Sequence, residues 1–183
     1  MNSASTKIKL KDKVFQPYIS ASEIESAVSS ISAKLNVDLA GLNPLFLVVL
    51  NGSFMFAADL LRKIEIPCNI SFVKMASYEG MTSGGSINEL IGLQESVENR
   101  VVVIVEDIVD TGNTLEKLHL QLTRKKASKI FIAALLFKPE AYTKNLPVEY
   151  AGMRIGNDFV VGYGLDYDGH GRNLSSIYVL DES

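Results

Sequence analysis

The chain has 183 residues, a formal net charge of −3 and 47% hydrophobic residues, with no composition break or internal repeat, which fits a single globular domain over 1–183. One cysteine, Cys68, excludes an intramolecular disulfide and, with two scattered histidines, a soft-metal cluster, so a reduced, cytoplasmic setting is the expectation. The mild acidity gives no electrostatic footprint for nucleic acid, the opening residues lack the apolar core of a signal peptide, and no apolar run has the length of a membrane span.

In chain order, Ser20-Ala-Ser-Glu23 reads as a capping box, and Ile24, Val28, Ile31 and Leu35 follow at helical spacing until Gly41. The apolar run Leu45 to Leu50 reads as a buried strand, Asn51-Gly52-Ser53 as a tight turn, and Phe54 to Arg62 as a helix. That strand-loop-helix unit offers a candidate ligand loop. Asn69 to Met75 is a further strand pattern, and after it comes a polar stretch, with three glycines between Ser77 and Asn88, that has no periodicity. Its composition suits a mobile lid over about 77–91 as well as it suits a flexible hairpin tip. Strands are expected at 101–105 and 129–137, and shorter β segments at 159–165 and 177–180. Arg124-Lys125-Lys126 reads as the solvated end of an intervening helix. Alternation of strand and helix implies an α/β fold with a mostly parallel sheet.

The most informative segment runs from Val101 to Leu115. Five consecutive β-branched residues fit a strand covered on both faces, and such sheets bind ligands at their carboxyl ends. The strand is expected to end at the acids Glu106 and Asp107, and the short polar loop 110–114 leads into a helix marked by Leu115, Leu118 and Leu122. A helix start has unpaired N–H groups and a positive dipole end, which suit an anion. The two acids would repel a phosphate but suit sugar hydroxyls or a hard divalent cation. Together they ask for a phosphorylated sugar. Taken singly, Asp110 could equally be the helix N-cap and Gly112 a turn residue.

This segment resembles the signature of the type I phosphoribosyltransferases, which bind 5-phosphoribosyl 1-diphosphate with Mg²⁺. Val49-Leu50-Asn51-Gly52-Ser53, Ser77-Tyr78, Leu136-Phe137-Lys138-Pro139, the block from Phe159 to Tyr167, and Arg172 extend the likeness to the hypoxanthine (hypoxanthine-guanine) phosphoribosyltransferases. The resemblance implies a mostly parallel sheet flanked by helices, a small hood from the terminal segments and a flexible lid. It implies that Glu106 and Asp107 hold the ribose hydroxyls, that Asp110 faces the base as general base, and that Thr111, Gly112, Asn113 and Thr114 cradle the 5′-phosphate. It further implies Lys138 at the purine 6-oxo group, Phe159 stacked on the base, the Val160 backbone at its amino-bearing edge, and Arg172 at the pyrophosphate. Asn51, Gly52, Ser77 and Tyr78 would complete the substrate site, and Glu106, Asp107 and Asp166 would be near Mg²⁺. The implied substrates are 5-phosphoribosyl 1-diphosphate and a 6-oxopurine, the implied product pair a nucleoside 5′-monophosphate and pyrophosphate, and the implied assembly a homodimer or homotetramer. Within the same fold, a xanthine or pyrimidine preference and a phosphoribosyl-diphosphate-sensing regulator are the alternatives. Asn51 and Asn113 stand where many or some relatives carry Lys, which shifts both loops toward backbone N–H contacts. His119 and His170 receive no role.

Overall fold

The structure is a computed structural model that describes residues 6–75, 89–91, 93 and 95–182. An N-terminal hairpin of β1 (Ile8–Leu10) and β2 (Lys13–Ile19) leads into α1 (Ala21–Asp38). The capping box at Ser20 and Glu23 forms in both directions, so the first helix starts where its sequence dictates. Next come β3 (Leu45–Leu50), α2 (Phe54–Leu61), β4 (Asn69–Met75), β5 (Glu89–Ile91) and β6 (Val101–Val109). The chain closes with α3 (Asn113–Arg124), β7 (Lys129–Phe137), β8 (Tyr150–Arg154), β9 (Val160–Val161) and β10 (Ile177–Leu180).

The main sheet has the order β5-β4-β3-β6-β7-β8, and all neighbours are parallel except the β4–β5 pair. Side chains alternate across β3 into two cores. Phe46 and Val48 join Ile24, Ile31 and Leu35 of α1 and Phe56 and Leu60 of α2, whereas Leu45 and Leu47 join Leu115, Leu118 and Leu122 of α3. Helices therefore cover both faces, which is why the strand runs are continuously apolar. The two chain ends meet in a second, antiparallel sheet of order β1-β2-β10-β9.

Four parts of the fold depart from the sequence reading: the end of β6, the β1–β2 hairpin, β8 and the 159–165 block. β6 continues to Val109 instead of ending at 105, because Glu106, Ile108 and Val109 keep their parallel pairing to Ala134, Leu136 and Phe137 of β7. The hairpin β1–β2 and strand β8 carry no periodic apolar signal: β2 buries only Phe15 and Ile19, and β8 only Tyr150. In the 159–165 block only Val160 and Val161 are strand, since Gly162, Tyr163 and Gly164 have φ of 103°, 48° and 99°. Of the lid expected over about 77–91, Ser77 and Tyr78 lie outside the described residues, while Glu89–Ile91 is strand β5.

Candidate active site

The carboxyl ends of β3, β6 and β7 lie side by side, so the loops after them share one edge of the sheet. β3 delivers Asn51 and Gly52, with Ser53 tied back by its hydroxyl to the Val49 carbonyl. β6 delivers Glu106, Asp107 and Asp110, and β7 delivers Lys138, whose N–H donates to the Val109 carbonyl at 2.9 Å. These are neighbouring strands, so residues distant in sequence become adjacent in space.

Asp110 is not the helix cap. Gly112 occupies that position with φ 81°, and no side chain caps α3. The Asp110 carboxylate instead accepts from the Lys138 ammonium at 3.0 Å, with the lysine side chain 9% exposed and the aspartate 48%. A buried cation is thus held against a carboxylate that opens to solvent.

The acids inside β6 are held in an uncomfortable state. Burial raises the Glu106 carboxyl well above the usual range, with a further upward push from the Asp107 charge, and Glu106 Oε2 is buried without a hydrogen-bond partner. Burial also raises Asp107 to about 6, against the opposing effect of the Ile108 N–H, which donates to Asp107 Oδ1 at 2.8 Å, and of the Arg172 charge. Gly52 packs directly on this carboxylate: a Cβ there would collide with Asp107 Oδ2. Gly164 in turn packs on the Gly52 carbonyl, where any side chain would collide with that oxygen. Two glycines hence let the first loop, the acidic strand and the C-terminal block nest together.

Thr111 and Asn113 are exposed, Thr114 half-buried and Gly112 buried at the start of α3. The first N–H groups of a helix lack partners within the helix, and here they lie at the start of α3.

The C-terminal block supplies the opposite wall. Phe159 is 43% exposed and lies against Phe15 and Tyr167, with ring centroids 6.2 Å and 6.0 Å away. β9 is the terminal strand of its sheet. The Leu180 N–H donates to the Phe159 carbonyl at 2.9 Å, which makes Val160–Val179 a non-hydrogen-bonded pair and turns the N–H and C=O of Val160 away from β10. Asp166 pairs with Arg172 at 2.7 Å, and it accepts from the Gly169 N–H at 2.7 Å. Arg172 also donates to the Gly164 carbonyl at 2.7 Å.

Among the described residues no group of three or more His, Cys, Asp or Glu side chains is arranged to hold a metal ion. Glu106, Asp107 and Asp166 do not converge into a cage. The donor set still fits Mg²⁺, a hard cation that keeps several waters and takes one or two carboxylates plus substrate phosphates. Asp107 and the unpartnered Glu106 Oε2 are oxygen donors of that type.

The phosphoribosyl transferase domain family matches residues 20–168. The hypoxanthine-guanine phosphoribosyltransferase of Streptococcus pneumoniae strain R6 is 38% identical over 174 residues, spanning 94% of this chain and 97% of that one. The chain belongs to the hypoxanthine-guanine phosphoribosyltransferases. Among solved structures, a hypoxanthine phosphoribosyltransferase from Staphylococcus aureus superposes with a TM-score of 0.84 at 34% identity, covering 90% of each chain. A hypoxanthine-guanine phosphoribosyltransferase from Bacillus anthracis, solved with HEPES in its active site, has a TM-score of 0.84 at 32% identity and covers 96% of this chain. The chain thus has the fold its sequence implied: five parallel strands flanked by helices, with an antiparallel hood. Sequence reasoning missed residues that support the phosphoribosyltransferase site from outside. Asp12, Lys13 and Phe15 of the hairpin and Tyr142, Thr143 and Lys144 after Lys138 follow no motif, and only the tertiary structure brings them to the site.

Proposed function

We propose that the chain catalyses transfer of the 5-phosphoribosyl group from 5-phosphoribosyl 1-diphosphate to hypoxanthine or guanine, yielding IMP or GMP and pyrophosphate, in the purine-salvage role of its family. The observation that carries the acceptor assignment is the 3.0 Å Lys138–Asp110 pair. A 6-oxopurine has O6 and N7 on one edge. An ammonium and a carboxylate side by side match an O6 acceptor next to a protonated N7. Adenine would set its amino donor against the lysine donor, and this opposition of donors selects against it.

In this reading the purine stacks on Phe159 while the outward-facing backbone of Val160 meets its 2-position edge. The purine N9 forms a bond to C1 of the ribose as the C1–O bond to pyrophosphate breaks, with the electron pair leaving on pyrophosphate. The N7 proton passes to the Asp110 carboxylate. Glu106 and Asp107 accept from the ribose hydroxyls, and the loop 111–114 receives the 5′-phosphate through its backbone N–H groups and Thr hydroxyls. Arg172, with its planar fork of donors, faces the departing pyrophosphate, and Asn51, Gly52, Ser77 and Tyr78 complete its surroundings. Mg²⁺, held by Asp107 and Asp166 with Glu106 beside them, would neutralise charge on the diphosphate.

The test offers hypoxanthine, guanine, xanthine, adenine and uracil separately with Mg²⁺ and 5-phosphoribosyl 1-diphosphate, measuring nucleotide and pyrophosphate. Product is expected from hypoxanthine or guanine. Absence of product from every 6-oxopurine sinks the proposal. Asp110→Asn is expected to lower kcat about 10²- to 10⁴-fold; nearly full turnover would remove Asp110 as the base.

We also take the working form to be a cytoplasmic homodimer or homotetramer. Supporting this, Ile70 and Phe72 project from one face of β4 at 45% and 47% exposure, near-equal to Phe54 of α2 at 44%, as an apolar surface suited to a second copy. Light scattering at micromolar concentration should give a multiple of 20.0 kDa; a single-chain mass would contradict it.

A further inference from the structure

The segment 141–144 lies along the phosphate loop. Thr143 donates to the Thr111 carbonyl from its N–H at 3.4 Å and from its hydroxyl at 3.2 Å. A Cβ on Gly112 would collide with the Tyr142 ring and lie 2.8 Å from Lys144 Cγ, so the ring and the lysine stem close over the glycine. The Lys144 ammonium donates to Glu116 Oε2 at 2.8 Å, and its side chain is 18% exposed against 46% for the glutamate.

Glu116 stands in the first turn of α3, where its N–H donates to the Gly112 carbonyl at 2.9 Å. An acid there favours the helix dipole while the loop is empty, but it opposes a dianionic phosphate bound at the same helix end. Asn113 brings no cation to the loop. We infer that Lys144 is a positioning residue for the phosphoribosyl donor: it neutralises Glu116 and lays its stem against Gly112, beside the Thr143–Thr111 hydrogen bonds, so that a first-turn acid is compatible with a phosphate on the helix start. The inference rests on reading 111–114 as the phosphate loop. Lys144 acts through Glu116 and the loop rather than by touching the sugar.

Steady-state kinetics on Lys144→Met, Glu116→Gln, their combination and Lys144→Arg test this. Lys144→Met is expected to raise KM for 5-phosphoribosyl 1-diphosphate about tenfold, the effect of one uncompensated charge beside a phosphate, with kcat and KM for hypoxanthine within about twofold. Removing Glu116 as well should restore KM to within about twofold, and Lys144→Arg should stay near the parent value. An unchanged KM in Lys144→Met, or a double variant as impaired as the single one, overturns the inference. If Lys144→Met fails to fold, Glu116→Gln decides alone: it must bind the donor at least as tightly as the parent. Asn113→Asp adds a charge within the loop itself. Should it too leave the donor KM unchanged, the phosphate-loop reading has failed, rather than the role of Lys144 alone.

Discussion

Asp107 links the chemistry of the site to the stability of the fold. In the native protein its carboxyl holds a proton up to about pH 6, whereas the unfolded chain releases it near 3.8. Folding therefore takes up a proton in that window, and stability falls as pH rises through it, then levels above pH 6. Asp107→Asn should accordingly raise the free energy of unfolding by about 1 to 3 kcal/mol at pH 8 and by nearly nothing at pH 3.5, measured by urea titration. The same variant should lose donor binding. Because a neutral carboxyl is a poor metal and hydroxyl acceptor, the parent enzyme's KM for 5-phosphoribosyl 1-diphosphate should climb as pH drops below about 6; a flat profile from pH 5 to 8 would contradict this. Gly52→Ala tests the same carboxylate sterically, since the new methyl occupies the place of Asp107 Oδ2. A loss of at least about tenfold in kcat/KM is expected, with the fold retained by circular dichroism.

At the scale of elements, the N-terminal hairpin packs behind Phe159, the proposed platform for the base. Phe15, fully buried, packs on Phe159 and Tyr167; the Lys13 ammonium lies 4.9 Å from the Tyr167 ring centre; and the Tyr167 hydroxyl donates to Asp12 at 2.9 Å. Tyr167→Phe should raise KM for hypoxanthine several-fold through a looser Phe159 while leaving KM for the donor unchanged; equal shifts in both would speak against it. None of this was legible in the sequence. A hairpin that buries two residues of its second strand gives no alternation to read, and β8 is hidden for the same reason. By contrast, β3, β6, β7 and the three helices among the described residues were legible, because each buries a continuous face or carries its own cap signal. The end of β6 was misplaced by the usual equation of acids with strand termini; here the pairing to β7 outweighs it.

For the whole molecule, parallel order decides the function. Setting β6 between β3 and β7 brings three loops separated by dozens of residues to one edge, and it puts Lys138 against Asp110 although 28 residues part them. The motif runs single out candidate site residues, but their neighbours in space, such as Gly164 on Gly52, come only from topology. The centre of the sheet should be intolerant of cavities: Ile104, fully buried among the α3-side residues, should cost about 2 to 5 kcal/mol when cut to alanine, seen as a lower urea midpoint at constant slope.

The outward-facing main chain of Val160 has a bearing on how selectivity can change over time. Every residue except proline carries the same N–H and C=O, so substitution at 160 leaves a main-chain contact chemically intact. The Val160 side chain is buried in the core, so exchanging it acts through packing, and on the proposed reading selectivity at the purine's 2-position edge shifts by moving the strand, through the packing of β9 on β10 and the turn at Gly162, whereas the 6-position is read by the Lys138 side chain.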